Sequence, residues 1–238
     1  MKNNIIIFII VTFLFSCNKQ PKEDVVFKAE IKKTTIKKDT TLVEFADLPF
    51  RIDSTAYLIH VKGYYKKYDW NSNKYGSKVR GSNDYNSYSV ARHGKNHISG
   101  NITNVKFQQI NSTKLMPLTN KNIRINAINY LKKIYKNTGK QFLLYEVIDM
   151  DTNNDKKLNN EDVTSLYISN INGKNFKKLS TKYYNLLNWN VIEINNTLYF
   201  RTREDINKNG KFDKNDKIHY QFVNLNDKDL TVITYNPL

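Results

Sequence analysis

Two twelve-residue stretches carry closely spaced oxygen ligands: DTNNDKKLNNED at 151–162 and DINKNGKFDKND at 205–216. Their acidic and amide residues fall at the same relative positions, and 205 minus 151 sets them 54 residues apart. Calcium is a hard cation that takes about six to eight oxygens from carboxylates, amide carbonyls and backbone carbonyls. Each stretch holds three spaced aspartates, Asp151, Asp155 and Asp162 in the first and Asp205, Asp213 and Asp216 in the second. Left uncompensated, these charges would strain a hairpin by mutual repulsion, and a divalent ion would relieve it. The bland alternative is that Asn and Asp simply fill solvated turns. Recurrence in one register favours the metal.

Both stretches resemble the calcium loops of EF-hands and dockerins, residue by residue. Those loops take their ligands from positions 1, 3, 5, 7, 9 and 12, position 7 through its backbone carbonyl. The resemblance therefore assigns Asp151, Asn153, Asp155, Lys157, Asn159 and Asp162 to one ion, and Asp205, Asn207, Asn209, Lys211, Asp213 and Asp216 to a second. Gly210 holds the turn at position 6, and Leu158 and Phe212 the apolar position 8. In the first stretch Lys156 replaces the glycine, at a cost of about 1–2 kcal/mol if it adopts the left-handed conformation. A register beginning at Asp149 loses the terminal acid and puts Lys156 at the apolar position. Asp at position 12 follows the dockerin version, whose shorter side chain chelates less well than glutamate. The flanks read as strands rather than helices, so the helix-opening mechanism of EF-hands does not carry over. The expectation is two structural calcium ions with dissociation constants of about 10⁻⁴–10⁻³ M or somewhat tighter.

Catalytic patterns are sparse. His93 and His97 have a zinc-like spacing, but Gly94 between them opposes a helix and Cys17 is the sole cysteine. No nucleophile elbow, phosphate loop or HExxH motif is present. The chain is expected to be a non-enzyme. The insertion YYKKYDWNSNKYGSKVRGSNDYNSYS (64–89) interleaves aromatic rings with Asn, Ser and Lys. Its Tyr68, Trp70 and Tyr75 are candidate contacts for a cell-envelope glycan or protein, since such rings join apolar area to a polar tip. A hairpin covering its own sheet is the plainer reading.

The elements that must hold the loops read as a repeat. LLYEVID and LYISNI flank the first loop; LYFRTRE and IHYQFV flank the second. All are rich in β-branched and aromatic residues, as half-buried strands are. The turn-and-strand segments 171–180 and 225–234 follow, and INSTKLMPLT (110–119) echoes both. A degenerate third unit therefore spans AYLIHVKGYY and NVKFQQI, with the Tyr-rich insertion in place of an acidic loop. The fold class expected is mainly β: an open antiparallel meander of about three strand units. One amphipathic helix is expected near 123–138, with Ile125, Ile128, Leu131 and Tyr135 on one face and Gly139 as its cap. YISNINGKNFKKLS, then Trp189 and IEINNTLYFRTRED, resembles TolB-type propeller blades, which implies an open or partial propeller.

The opening MKNNIIIFIIVTFLFSC has a charged start, an apolar run too short to span a bilayer, and Ser16 before Cys17. Leu14-Phe15-Ser16-Cys17 resembles a bacterial lipobox, which implies lipidation of Cys17 and attachment to the cell envelope, the outer membrane being expected. The organisation read is signal peptide 1–17, tether 18–45 and β-rich domain 46–238, subdivided at 46–120, 121–180 and 181–238. The net charge is +16, yet the lysines are scattered among Asn, Ile and Tyr, and an exported chain gives no reason to expect a nucleic-acid partner. The function expected is a calcium-stabilised, lipid-anchored binding module; the alternatives are an assembly lipoprotein docking a partner protein and, third, a glycan or peptide hydrolase.

Overall fold

A computed structural model describes residue 36 and residues 42–66, 89–206 and 212–238. The signal segment with Cys17, the tether to residue 41, Tyr68, Trp70 and Tyr75, and residues 207–211 of the second loop lie outside the described residues. The strands belong to one compact unit, Thr34–Leu238.

The first unit comprises β1 (Leu42–Ala46), β2 (Phe50–Arg51), β3 (Tyr57–Lys66), β4 (Ala91–His93), β5 (His97–Gln109) and β6 (Leu115–Pro117). The second comprises β7 (Arg124–Tyr130), the helix α1 (Lys132–Thr138), β8 (Phe142–Ile148), β9 (Thr164–Asn170) and β10 (Lys177–Lys178). The third comprises β11 (Tyr184–Ile192), β12 (Thr197–Glu204), β13 (Lys217–Asn224) and β14 (Val232–Tyr235). Every pairing given is antiparallel, as hairpin-connected strands require.

The expected repeat is present in the pairing. β3 pairs β5, and β6 returns onto β5. β8 pairs β9, and β10 returns onto β9. β12 pairs β13, and β14 returns onto β13. Lead strands β7 and β11 pair β8 and β12, so the second and third units are four-stranded meanders. The first two units fuse through β5 and β7 into a ten-stranded sheet; the third remains a separate four-stranded sheet. Among the described residues neither sheet closes on itself. The large sheet takes up the chain from Leu42, inside the stretch read as tether.

Two cores divide the faces of β8. Leu143, Tyr145 and Val147 join Val105, Phe107, Ile125 and Ile128 on one side. Phe142 and Leu144 join Leu166 and Ile168 of β9 with Leu198, Phe200 and Val223 of the small sheet on the other. A strand buried on both faces loses its alternation, which is why FLLYEVI reads as an almost continuous apolar run.

The expected helix is shorter than its periodicity implies. It begins at Lys132, and residues 124–130 form β7 instead. A bulge between Ile125 and Ala127 is the physical reason. It inserts an extra residue, so Ile125 and Ile128 enter the same core three positions apart, a spacing that imitates one helical turn. Gly139 caps α1 as expected, at φ 73° with its N–H donating to the Tyr135 carbonyl.

Candidate metal loops and the cleft beside them

The first loop leaves β8 and rejoins β9. Asp151 gathers its early turn: Oδ1 accepts the Asp155 N–H at 3.1 Å, and Oδ2 the Lys156 N–H at 2.8 Å. The Asn153 side-chain amide oxygen also accepts from the Asp155 N–H, at 3.0 Å, and the Asp155 carboxylate from the Lys157 N–H at 2.8 Å. Lys156 takes φ 66°, the left-handed turn expected at position 6. Asp162 closes the loop from inside. It is 4% exposed and accepts the N–H groups of Thr152 at 2.7 Å and Asn159 at 3.0 Å, and the Thr152 hydroxyl at 3.1 Å. Thr152 was not singled out by the sequence; its hydroxyl also accepts the Val163 N–H at 3.0 Å and so ties both ends of the loop to Asp162.

The described part of the second loop repeats this closure. Asp216 is 9% exposed; its Oδ1 accepts the position-2 N–H of Ile206 at 3.4 Å and its Oδ2 the position-9 N–H of Asp213 at 2.6 Å. Position 11 donates to the position-9 side chain in both loops: Glu161 to Asn159 and Asn215 to Asp213, each at 2.7 Å. Position 12 donates to the position-9 carbonyl in both, each at 3.2 Å. Asp205 flanks this end of the loop. Asn207, Asn209, Gly210 and Lys211 lie outside the described residues.

Against a calcium ion the donor set is mixed. Among the described residues no three His, Cys, Asp or Glu side chains gather as a metal cluster. A site here would lean on Asn153, Asn159 and the Lys157 carbonyl besides Asp151, Asp155 and Asp162. The left-handed Lys156, the acceptor-rich Asp151 and the buried position-12 carboxylates fit such a loop. Beside it, burial pulls the Arg124 guanidinium below its ordinary value, and the Asp162 carboxylate opposes that shift.

Other polar groups are engaged elsewhere. Asp149 accepts Lys178 Nζ at 2.9 Å and the Tyr167 hydroxyl at 2.7 Å, so it stands outside the loop's ligand register. Burial, then the bond to Asp149, push the Tyr167 hydroxyl far above its ordinary value. His93 lies 3.3 Å from Asp47 and His97 2.7 Å from Asn129, so the zinc-like pair points to separate partners. His219 sits 2.7 Å from Glu204 and stacks on Tyr184; that hydrogen bond, outweighing desolvation, holds the Glu204 carboxyl below its usual range.

The loops border a cleft of about 410 Å³ where the space between the two sheets opens. Residues 160–162 of the first loop, Thr164, residues 185–189 of β11, Glu146 and Phe212 of the second loop line it. Trp189 Nε1 donates to Glu146 Oε1 at 3.0 Å across the sheets. One signal for this site is visible in the residues alone: Glu146 is a charge inside the apolar run of β8. Its partner, 43 positions away on another sheet, left none.

No protein-family model matches the chain, and no curated protein sequence matches it. Among solved structures, one assigned as a TolB from Agrobacterium tumefaciens is similar at TM-score 0.25 and 6% identity, over 80% of each chain. An overlap of that degree carries no argument about fold or activity.

Proposed function

We propose that the chain is a calcium-supported binding module held at the cell envelope by a lipid on Cys17, without catalytic activity. One observation carries the calcium part: four hydrogen bonds, at positions 2, 9, 11 and 12, recur in two loops that lie on different sheets. Chance turns of an Asn-rich chain would not converge on a buried carboxylate at position 12 twice. The ion's role is structural: it neutralises the aspartates and fixes the hairpins β8–β9 and β12–β13. Tyr68, Trp70 and Tyr75 of the insertion supply the contact surface for an envelope glycan or protein.

The test is a thermal melt of the full chain in detergent, first with excess EGTA, then with calcium at about 1 mM, within the extracellular range. We expect a rise of several degrees, reduced in Asp151→Ala and in Asp205→Ala and abolished in the double variant. An unchanged melting temperature would reduce both loops to ordinary turns.

The assembly reading is favoured by a different feature. The outer face of the small sheet clusters Tyr199, Phe222 and Tyr235, with Tyr199 and Phe222 centroids 5.7 Å apart, beside half-exposed Ile233. Recovery of the chain with a stoichiometric partner, lost in Tyr199→Ser, would replace the binding-module reading with that one.

A further inference from the structure

We propose that the cleft between the two sheets binds a primary-amine ligand, its ammonium group at Glu146 and Glu161 and its methylene shaft along Trp189 and Phe212. This goes beyond the calcium reading and does not depend on it.

Charge is the first argument. The chain carries 38 Lys and Arg residues and a net charge of +16, yet among the described residues the cleft lining contains neither residue. It contains Glu146, Glu161 and Asp162, with amides and Thr164 between them. Asp162 interacts electrostatically with Arg124, and its carboxylate already accepts the Thr152 and Asn159 N–H groups. Among the described residues the Glu161 carboxylate meets only the Asn153 amide, at 3.3 Å. An acidic hollow in a basic protein selects cations over anions, because field lines concentrate in a cleft with low-dielectric walls.

Glu146 is the second argument. It is partly buried in a strand whose other residues are all buried and apolar. Among the described residues its one hydrogen-bond partner is the Trp189 indole N–H, and no lysine, arginine or histidine forms an ion pair with it. A carboxylate kept in that setting with one neutral donor is under-compensated. An ammonium group would supply the missing charge-assisted bond.

The walls are the third. Trp189 and Phe212 place two aromatic side chains beside the carboxylates. Rings attract ammonium groups and cover alkyl chain, so they suit an amine on a methylene shaft better than a compact inorganic cation. The volume lies toward the small end of the usual range for ligand pockets, about 300–1,000 Å³, which fits a polyamine or a lysine side chain.

The experiment uses the full chain in detergent with Trp70→Phe, which leaves Trp189 as the sole indole, since the chain has two tryptophans. Emission is titrated with spermidine, with Nα-acetyl-lysine N-methylamide and with glucose, in EGTA and again at about 1 mM calcium. A saturable change with either amine is expected in both conditions, and none with glucose. Glu146→Gln keeps an acceptor for the indole; it should leave the melting temperature unchanged and weaken amine binding about tenfold. Glu161→Gln, on the exposed wall, should weaken it too and carries the test if Glu146→Gln disturbs folding. Saturation by spermidine alone identifies a free polyamine as the ligand, and saturation by the lysine amide identifies a peptide side chain. Absence of saturation up to about 10 mM amine, equal affinity in both glutamine variants, or an equal response to glucose overturns the proposal.

Discussion

Lys156 occupies the one position of the first loop where a side chain costs most. It turns at φ 66°, and its N–H closes the bond to Asp151 at 2.8 Å that a glycine would make at the same place. A Cβ in that conformation costs about 1–2 kcal/mol. Lys156→Gly should therefore raise stability, by about 1 kcal/mol once glycine's extra freedom in the unfolded chain is set against the relief. Calcium affinity at this loop should rise severalfold with it. Urea unfolding and a calcium titration in an Asp205→Ala background would measure the two effects; a fall in both would mean that the lysine shaft makes contacts worth more than the strain. At this scale the turn and closure of the loops were legible because their logic is local: twelve consecutive residues set the left-handed turn and the buried terminal acid. Thr152 escaped notice because a threonine at position 2 is no ligand. The Glu146–Trp189 bond escaped because it depends on two sheets coming together.

Elements were legible where they follow one period and misleading where a bulge breaks it. β8, β9, β12 and β13 bracket their loops as composition implies. β7 reads as helix because the bulge after Ile125 shifts the buried set by one residue. Two turns show how the same backbone can matter differently. Gly139 at φ 73° and Gly173 at φ 76° share a left-handed conformation. A Cβ on Gly139 would meet nothing within 4 Å, whereas one on Gly173 would lie 2.4 Å from Phe107 Cε2. The turn between β9 and β10 thus lies directly on the Phe107 ring of β5, so the large sheet curls over its own core. Gly139→Ala should cost about 1 kcal/mol, the conformational penalty alone. Gly173→Ala should cost about 2–4 kcal/mol, since Phe107 is buried and displacing it adds an overpacking penalty of about 1–3 kcal/mol. Chemical denaturation of the pair isolates the clash as the difference between them; equal costs would show that Phe107 can move aside freely.

In the whole molecule the repeat is conspicuous but its third unit depends on the other two. A four-stranded meander has one apolar face, and the small sheet lays Leu198, Phe200 and Val223 against Leu144, Leu166 and Ile168 of the large one. Cross-ties reinforce the seam: Lys140 Nζ donates to the Leu225 carbonyl at 3.2 Å, and Lys177 Nζ to that of Leu230 at 3.2 Å. The seam was illegible in the sequence. Periodicity shows that a strand has an apolar face, not which sheet will cover it. It also hides that β8 and β9 serve two cores at once. The physical consequence is cooperativity. A chain ending at Ser180 would keep all ten strands of the large sheet but expose three fully buried side chains, Leu144, Leu166 and Ile168. Losing the burial of each forfeits about 1.5–3 kcal/mol, together comparable with the whole stability of many domains. That truncated chain should bind an apolar dye and show no sharp thermal transition. In the full chain carrying Trp70→Phe, Trp189 emission on the small sheet and far-ultraviolet dichroism, dominated by the large one, should report the same midpoint. A sharp transition for the truncated chain near the full-length midpoint, or separated midpoints in the full chain, would mean the sheets fold independently. The calcium proposed for the second loop would then stabilise the small sheet alone; with the seam intact, such an ion in either loop would protect both sheets.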